Sequence, residues 1–316
     1  MKTILTSLAA GSLLAMFAPA QPPIQPTSPK ADQATAIPLY GRRGLPKENA
    51  SHHAGNPPGL AKRSLLVYAI TGGLQFGTVD LGSGTFLPIG PGTPPDVGGG
   101  LVRGRGKSLF TLAFSGNLDA IDPATGIASI VGATGLGDCS TPASPCGPDS
   151  ANGLGQLDDS YYATDFANNL YSVDPATGKA KLIGPTGMPA LPFIPLSTNP
   201  DGSLNVYDES LFSFGGRLYA NFAAASLNPD GPPTIVISPA LYRINPKTGQ
   251  ATWIASTDLG LSSIVNMNDT IYAFSIPTGE VVTLDITTGQ TTAVSELDPA
   301  AGLVVGSTPA PPARAH

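Results

Sequence analysis

After the first twenty residues, apolar positions come in short runs broken by turn-forming residues, and none of the runs keeps the 3.6-residue period of an amphipathic helix. "SLFTLAFSG" (Ser108 to Gly116), "SYYATDFAN" (Ser160 to Asn168) and "TIYAFSIPTG" (Thr270 to Gly279) each read as an aromatic-rich β-strand. A second strand follows each ("NLDAIDP", "NLYSVDP", "EVVTLDI"), and a third precedes it ("GLVRGRG", "NGLGQLDD", "SSIVNMND"). The pattern predicts an all-β chain.

The second strand of each group ends in a recurring anchor: "VDLGSG" at Asp80, "IDPATG" at Asp122, "VDPATG" at Asp174, "INPKTG" at Asn245 and "LDITTG" at Asp285. A short β-prone segment follows each anchor: TFLPIG, IASIVG, KAKLIG, QATWIA and QTTAVS. Asp or Asn at the first position can accept a backbone N–H two residues on, Pro pre-sets the next φ, and Gly supplies a left-handed residue at the end. Such a segment is a hairpin turn between a third and a fourth strand.

A four-stranded unit of about 40 residues is the repeat of a β-propeller blade. The anchors are spaced 42, 52, 71 and 40 residues apart, so two units carry insertions. The first unit, "RSLLVYAITGGLQFGTVD", lacks its innermost strand, and "AGLVVGST" (Ala301 to Thr308) resembles "GGLVRGRG" (Gly99 to Gly106). The expectation is a single propeller of five blades, its ring closed by the C-terminal strand completing the first blade. Six blades remain an alternative if residues 185 to 256 hold two degenerate units. The series resembles the DP-x-TG repeats of bacterial exported propellers of the YVTN and PQQ types over Leu65 to Gly306. That resemblance implies architecture and carries no activity across: Trp253 is the single tryptophan, unlike the recurrent tryptophans of quinone-binding propellers.

Composition adds the surroundings. Gly and Pro number 38 and 33, which suits many tight turns, and two prolines-rich ends flank the repeats. Residues 1–20 (MKTILTSLAAGSLLAMFAPA) read as a signal peptide, residues 21–63 as a Pro-rich basic linker without fixed structure, 64–308 as the propeller and 309–316 as a loose tail. A pro-segment cut after Lys62-Arg63 is the alternative for the linker. The expected location is outside the cytoplasm, in a periplasm, at a cell surface or in the medium. In such a compartment Cys139 and Cys146 are expected to form a disulfide stiffening a Gly/Pro/Ser loop. The linker has six basic residues against two acidic, and Ser64 to Thr308 has eight basic against twenty acidic. That balance speaks against a nucleic-acid surface, and no apolar run after the leader is long enough to span a membrane.

Long connections fall at 133–152, 185–207 and 224–239, all on the face that bears the fourth-to-first and second-to-third strand connections. Insertions confined to one face of a repeat array mark a binding face. Candidate binding residues there and along the innermost strands are Asp96, Arg103, Arg105, Asp138, Asp149, Asn152, Asp201 and Asn266. Arg103 and Arg105, at alternate positions, could clamp an anion in the channel or pair with a neighbouring Asp. The three histidines, His52, His53 and His316, all lie in the tails, which disfavours histidine catalysis or histidine-held copper or zinc within the ring. Calcium held by Asp149, Asp158 and Asp159, with Asp138, Asn152 and Asp201 as further oxygen donors, stays open, although the spacing fits no calcium loop. No other metal or cofactor is expected.

No Gly-x-Ser-x-Gly elbow, phosphate-cradling loop or zinc-spaced Cys/His set is present. The reading that follows is an exported, monomeric, non-catalytic propeller that binds a protein or glycan through its insertion face. The alternatives are a carboxylate-based lyase or hydrolase, with or without calcium, at the channel mouth, and an envelope module held by its basic tether.

Overall fold

The computed structural model describes residues 65–72, 75–90, 97–104, 106–138, 146–190, 204–227, 234–276, 278–299, 301 and 304–311. The expected leader (1–20), the linker (21–63), all three histidines, Asp96, Arg105, Cys139 and Asp201 lie outside the described residues.

Among the described residues, twenty strands form five four-stranded antiparallel sheets, each a blade. Blade 1 contains β1 (Leu66–Thr71), β2 (Phe76–Asp80) and β3 (Phe86–Pro88), with β20 (Val304–Pro309) as its innermost strand. Blade 2 runs outward through β4 (Val97–Arg103), β5 (Leu109–Ala113), β6 (Asn117–Ile121) and β7 (Ala128–Ala133). Blade 3 consists of β8 (Ala151–Leu157), β9 (Ser160–Asp165), β10 (Asn169–Val173) and β11 (Ala180–Pro185). Blade 4 has β12 (Leu204–Phe214), β13 (Arg217–Leu227), β14 (Thr234–Ile244) and β15 (Ala251–Ser256). Blade 5 has β16 (Leu261–Met267), β17 (Thr270–Ser275), β18 (Glu280–Leu284) and β19 (Thr291–Glu296). The innermost strands β20, β4, β8, β12 and β16 pack side by side in a ring. The chain is therefore a five-bladed β-propeller, and residues 185–256 hold one enlarged blade, which removes the six-blade alternative.

Closure follows the sequence expectation. β20 pairs antiparallel with β1 from Val67↔Pro309 to Thr71↔Val304, and the Ala310 N–H donates to the Leu66 carbonyl at 3.1 Å. Across the seam to blade 5, the Ser263 and Ser307 hydroxyls share a 2.7 Å hydrogen bond.

Each anchor folds as its residues dictate. The carboxylates of Asp80, Asp122, Asp174 and Asp285 and the Asn245 side-chain oxygen accept the N–H two residues on, at 2.7 to 3.0 Å. Each closing glycine donates its N–H back to the carbonyl of that same Asp or Asn and has φ between 71° and 83°.

The core is divided among the blade interfaces. Five apolar clusters each join residues of two neighbouring blades: Phe110 and Leu112 of blade 2 with Leu154 and Ala163 of blade 3, for example, and Leu211 and Phe222 of blade 4 with Leu170 of blade 3. The second strand of each blade supplies much of this, through the aligned segments "YAIT", "FTLA", "YATD", "YANF" and "YAFS". Large side chains such as Leu87, Ile130, Leu182 and Trp253 on the outermost strands stay exposed.

Two boundaries differ from the expectation: the connection expected at 185–207 is shortened by β12, which already begins at Leu204, and the one expected at 224–239 is shortened on both sides. Residues 224–239 were expected to form a connecting loop, but strand β13 continues through Leu227 and β14 begins at Thr234. The run Ala223 to Ala225 is poor in β-branched residues and reads weakly as strand from sequence. In the fold it is paired on both sides, with β12 and with β14.

Candidate functional site

The two ends of the ring differ. At one end lie the short anchor hairpins and the β4–β5, β8–β9, β12–β13 and β16–β17 turns. The other end carries the long connections β7 to β8 and β11 to β12 and the β13–β14 hairpin. Blade 4 is extended toward this second end: β12, β13 and β14 each have eleven residues, whereas the strands of the other blades have three to seven. The pairing Leu204↔Leu227 through Asp208↔Ala223 continues without a break into the blade, so the extension is an outgrowth of the sheet itself.

The residues singled out from sequence divide between these ends. Asp138 and Asp149 are exposed at the base of the β7–β8 connection, where the Gly137 N–H donates to the Asp149 carbonyl at 2.8 Å and Gly137 bridges Ser150. Asn152 follows in β8 and is buried. Arg103 lies at the opposite end. Its guanidinium donates to the Pro309 carbonyl at 3.0 Å, so its observed partner is the backbone of blade 1, where a neighbouring Asp or an anion was expected.

Asn266 is at the same register as Arg103: Asn266 lies opposite Ile271 and Arg103 opposite Leu109, which precede the aligned segments "YAFS" and "FTLA" in their second strands. Its side-chain oxygen is buried without a hydrogen-bond partner among the described residues. Asp158 and Asp159 form the β8–β9 turn, one strand length from Asp149, about 20 Å at ~3.3 Å per residue. A single ion cannot be held by all three, and among the described residues no group of three His, Cys, Asp or Glu is placed to hold a metal.

The structure adds a residue that sequence reasoning did not select. Glu209 in β12 is buried, and the Asn152 amide of blade 3 donates to its Oε2. At the same register the other innermost strands place Val97, Ala151, Leu261 and Val304. A carboxyl group thus occupies a position that is apolar in every other blade. Burial pushes its pKa up from 4.5 to about 8; the nearby Asp165 charge adds to this, and the Thr164 and Asn152 hydrogen bonds offset part of it. Its Oε1 is buried without a partner among the described residues.

The polar character continues around it. Thr164 and Asn221 replace Ile70, Leu112 and Phe274 of the other second strands, and all five are buried. The Thr164 hydroxyl accepts the Gly153 N–H at 3.1 Å, and the Asn221 amide donates to the Leu261 carbonyl at 3.3 Å. Asp165 accepts the backbone N–H and the amide of Asn169 and the Tyr171 hydroxyl, at 2.8 to 2.9 Å. Burial, together with the Asp165 hydrogen bond, raises the Tyr171 phenol to about 12. Blades 3 and 4 therefore meet across a polar inlay at the insertion end of the ring.

A shallow depression lined by Ser275, Thr278, Glu296 and Asp298 opens at the same end, beside blade 5. Among the described residues, no helix is long and apolar enough to cross a membrane.

No protein-family model matches the chain, and no curated protein sequence matches it. Solved structures do. One from a nidogen/laminin complex is 14% identical, with 77% of this chain and 97% of that chain covered at a TM-score of 0.44. A Bacteroides thetaiotaomicron protein of unknown function is 16% identical, with 72% and 54% covered at a TM-score of 0.42. The PQQ-bound aldose sugar dehydrogenase of Streptomyces coelicolor is 13% identical, with 69% and 88% covered at a TM-score of 0.38. At these identities and scores the likeness carries nothing about activity or partner.

Proposed function

We propose that the chain is an exported, non-catalytic propeller that binds a protein or glycan partner through its insertion face. The observation that carries this reading is the one-sided outgrowth of blade 4, whose three inner strands reach past the ring at the end that also bears the β7–β8 and β11–β12 connections. A scaffold tolerates such additions at little cost to its core, and they collect where a surface is used. In the same reading Cys139 and Cys146 are joined, holding the β7–β8 connection in one shape before a partner arrives, which lowers the ordering cost of binding.

The test is capture of partners from envelope and culture-fluid extracts on the immobilised protein. Replacing residues 136–147 by a short turn and trimming the β13–β14 hairpin should abolish capture while the melting temperature stays within a few degrees. Capture that survives both changes overturns the reading.

One observation favours the second reading, a carboxylate-based lyase or hydrolase. Glu209 would be protonated at neutral pH, the state a general acid requires, and perturbed carboxyls concentrate at catalytic sites. Turnover on a panel of lactones and polysaccharides that disappears in Glu209→Gln would establish it; absence of turnover leaves Glu209 a structural group.

A further inference from the structure

β14 has eleven residues, but β15 pairs with it only from Ala240↔Ser256 to Ile244↔Ala251. The Thr257 N–H then donates to the Pro239 carbonyl at 2.9 Å, and the chain leaves the lane beside β14. Among the described residues no strand occupies that lane next to Thr234–Ser238. On its other side the same stretch is paired with β13, at Ser226↔Thr234, Ala225↔Ile235 and Ala224↔Ile237. Among the described residues the result is an open edge of β14 facing the outermost lane of the blade, in line with the end of β15.

We infer that this edge takes an extended, uncharged segment of a partner polypeptide as an added strand, prolonging the lane that β15 leaves. The inference rests on the binding role of the insertion face and specifies its partner as protein. An open edge offers a row of backbone donors and acceptors, which a polypeptide in extended form matches and a glycan does not. Thr-Ile-Val-Ile-Ser is β-prone and carries no charge, and Val236 is exposed, so a charged incoming segment would gain nothing there.

A second copy of the chain is the less suitable occupant. Pro239 closes the edge at one end, and Pro232 and Pro233 precede it at the other, so self-pairing is limited to the five residues between them. Such a ladder covers a fraction of the roughly 1,200 Å² that a specific complex needs. A segment of a larger partner can gather the remainder from the surrounding insertion face.

The experiment uses the full chain, amide NMR and a neutral probe, acetyl-Thr-Val-Thr-Val-Thr-amide, beside the same peptide N-methylated at alternate residues. The expected result is perturbation of the 234–238 amides by the first peptide, at least ten-fold weaker with the N-methylated peptide and with Val236→Lys. An equal response to both peptides, or a response confined to other residues, overturns the inference. So does a concentration-dependent dimer that Val236→Lys dissolves, because the occupant would then be a second copy. In the capture assay, binding kept by Val236→Lys but lost on trimming the insertions overturns the edge alone, whereas binding kept by every variant overturns the wider reading.

Discussion

The Cβ that Gly178 lacks would stand 2.5 Å from the carbonyl oxygen of Gly132 in the preceding blade, and a Cβ on Gly132 would stand 2.2 Å from the Thr177 carbonyl. The same approach recurs around the ring: Gly84 faces Glu296, Gly126 faces Ile89, Gly249 faces Gly184 and Gly289 faces Ser256, each through a backbone carbonyl. The anchor glycine therefore does two jobs, ending its own hairpin and seating the outermost strand of the neighbouring blade.

Gly178→Ala should consequently cost on the order of 3 kcal/mol, combining a left-handed alanine with a backbone carbonyl that must be displaced. Gly187→Ala is the matched control. Gly187 has a φ of 74° but nothing within 4 Å of its absent Cβ, so only the conformational cost of about 1 kcal/mol remains. Chemical denaturation of the two variants separates the terms, and equal losses would show that the blade joint contributes nothing.

The repeats made this part of the fold legible. Aspartate, proline and glycine act on their own backbone within a few residues, so the "DPATG" turns and the four-stranded unit around them could be read locally, and the likeness of Ala301–Thr308 to Gly99–Gly106 located the closing strand. The polar inlay was present in the same alignment, as Thr164 in "YATD" and Asn221 in "YANF" where the other blades have Ile, Leu or Phe. Glu209 was not legible in that way. It lies in blade 4 behind the longest insertion, where the register of the innermost strand is set by its pairing with Phe222 and not by any local signal. Arg103 in "GLVRGRG" and Asn266 in "SSIVNMND" share a register, but their distance from the insertion face depends on strand direction across the whole ring.

Glu209 makes a prediction about pH. Its folded pKa of about 8 lies above the ordinary 4.5, so the native state favours the protonated form. The associated stability is fully present below pH 4.5 and is lost as the pH rises through 8, because the unfolded chain ionises first. Glu209→Gln keeps an oxygen to accept the Asn152 amide and removes the titration. Denaturation at pH 5 and pH 9 should show the variant more stable than wild type at the higher pH by on the order of 3 kcal/mol, with a smaller difference at pH 5. Parallel pH profiles would mean that Glu209 is ionised in the folded protein at low cost.

The anchor carboxylates act as hydrogen-bond acceptors, and their charge is secondary. Asn245 fills the role in blade 4, with its side-chain oxygen 3.0 Å from the Lys247 nitrogen. Asp122→Asn should therefore change stability little, whereas Asp122→Ala loses the acceptor for the Ala124 N–H and should cost about 1 kcal/mol. Thermal melts of the two variants at one pH check this, and an equal loss in both would assign the effect to charge.

Removing residues 304–316 tests closure. The deletion takes away β20, exposes the inner edge of β1 and strips Val304 from the cluster shared by blades 1 and 5. It also removes the Ser307 partner of Ser263 and the carbonyl that holds Arg103. Because both neighbouring innermost strands pack on β20, the loss opens the ring on two sides at once. The truncated chain should show no cooperative unfolding transition and should self-associate through the bared edge. A synthetic peptide spanning Ala301 to Pro311, added in excess, should restore a cooperative transition whose midpoint rises with peptide concentration, as linkage requires for a ligand that binds only the folded state. A truncated chain that melts at the wild-type midpoint would show instead that four and three-quarter blades are stable without the closing strand.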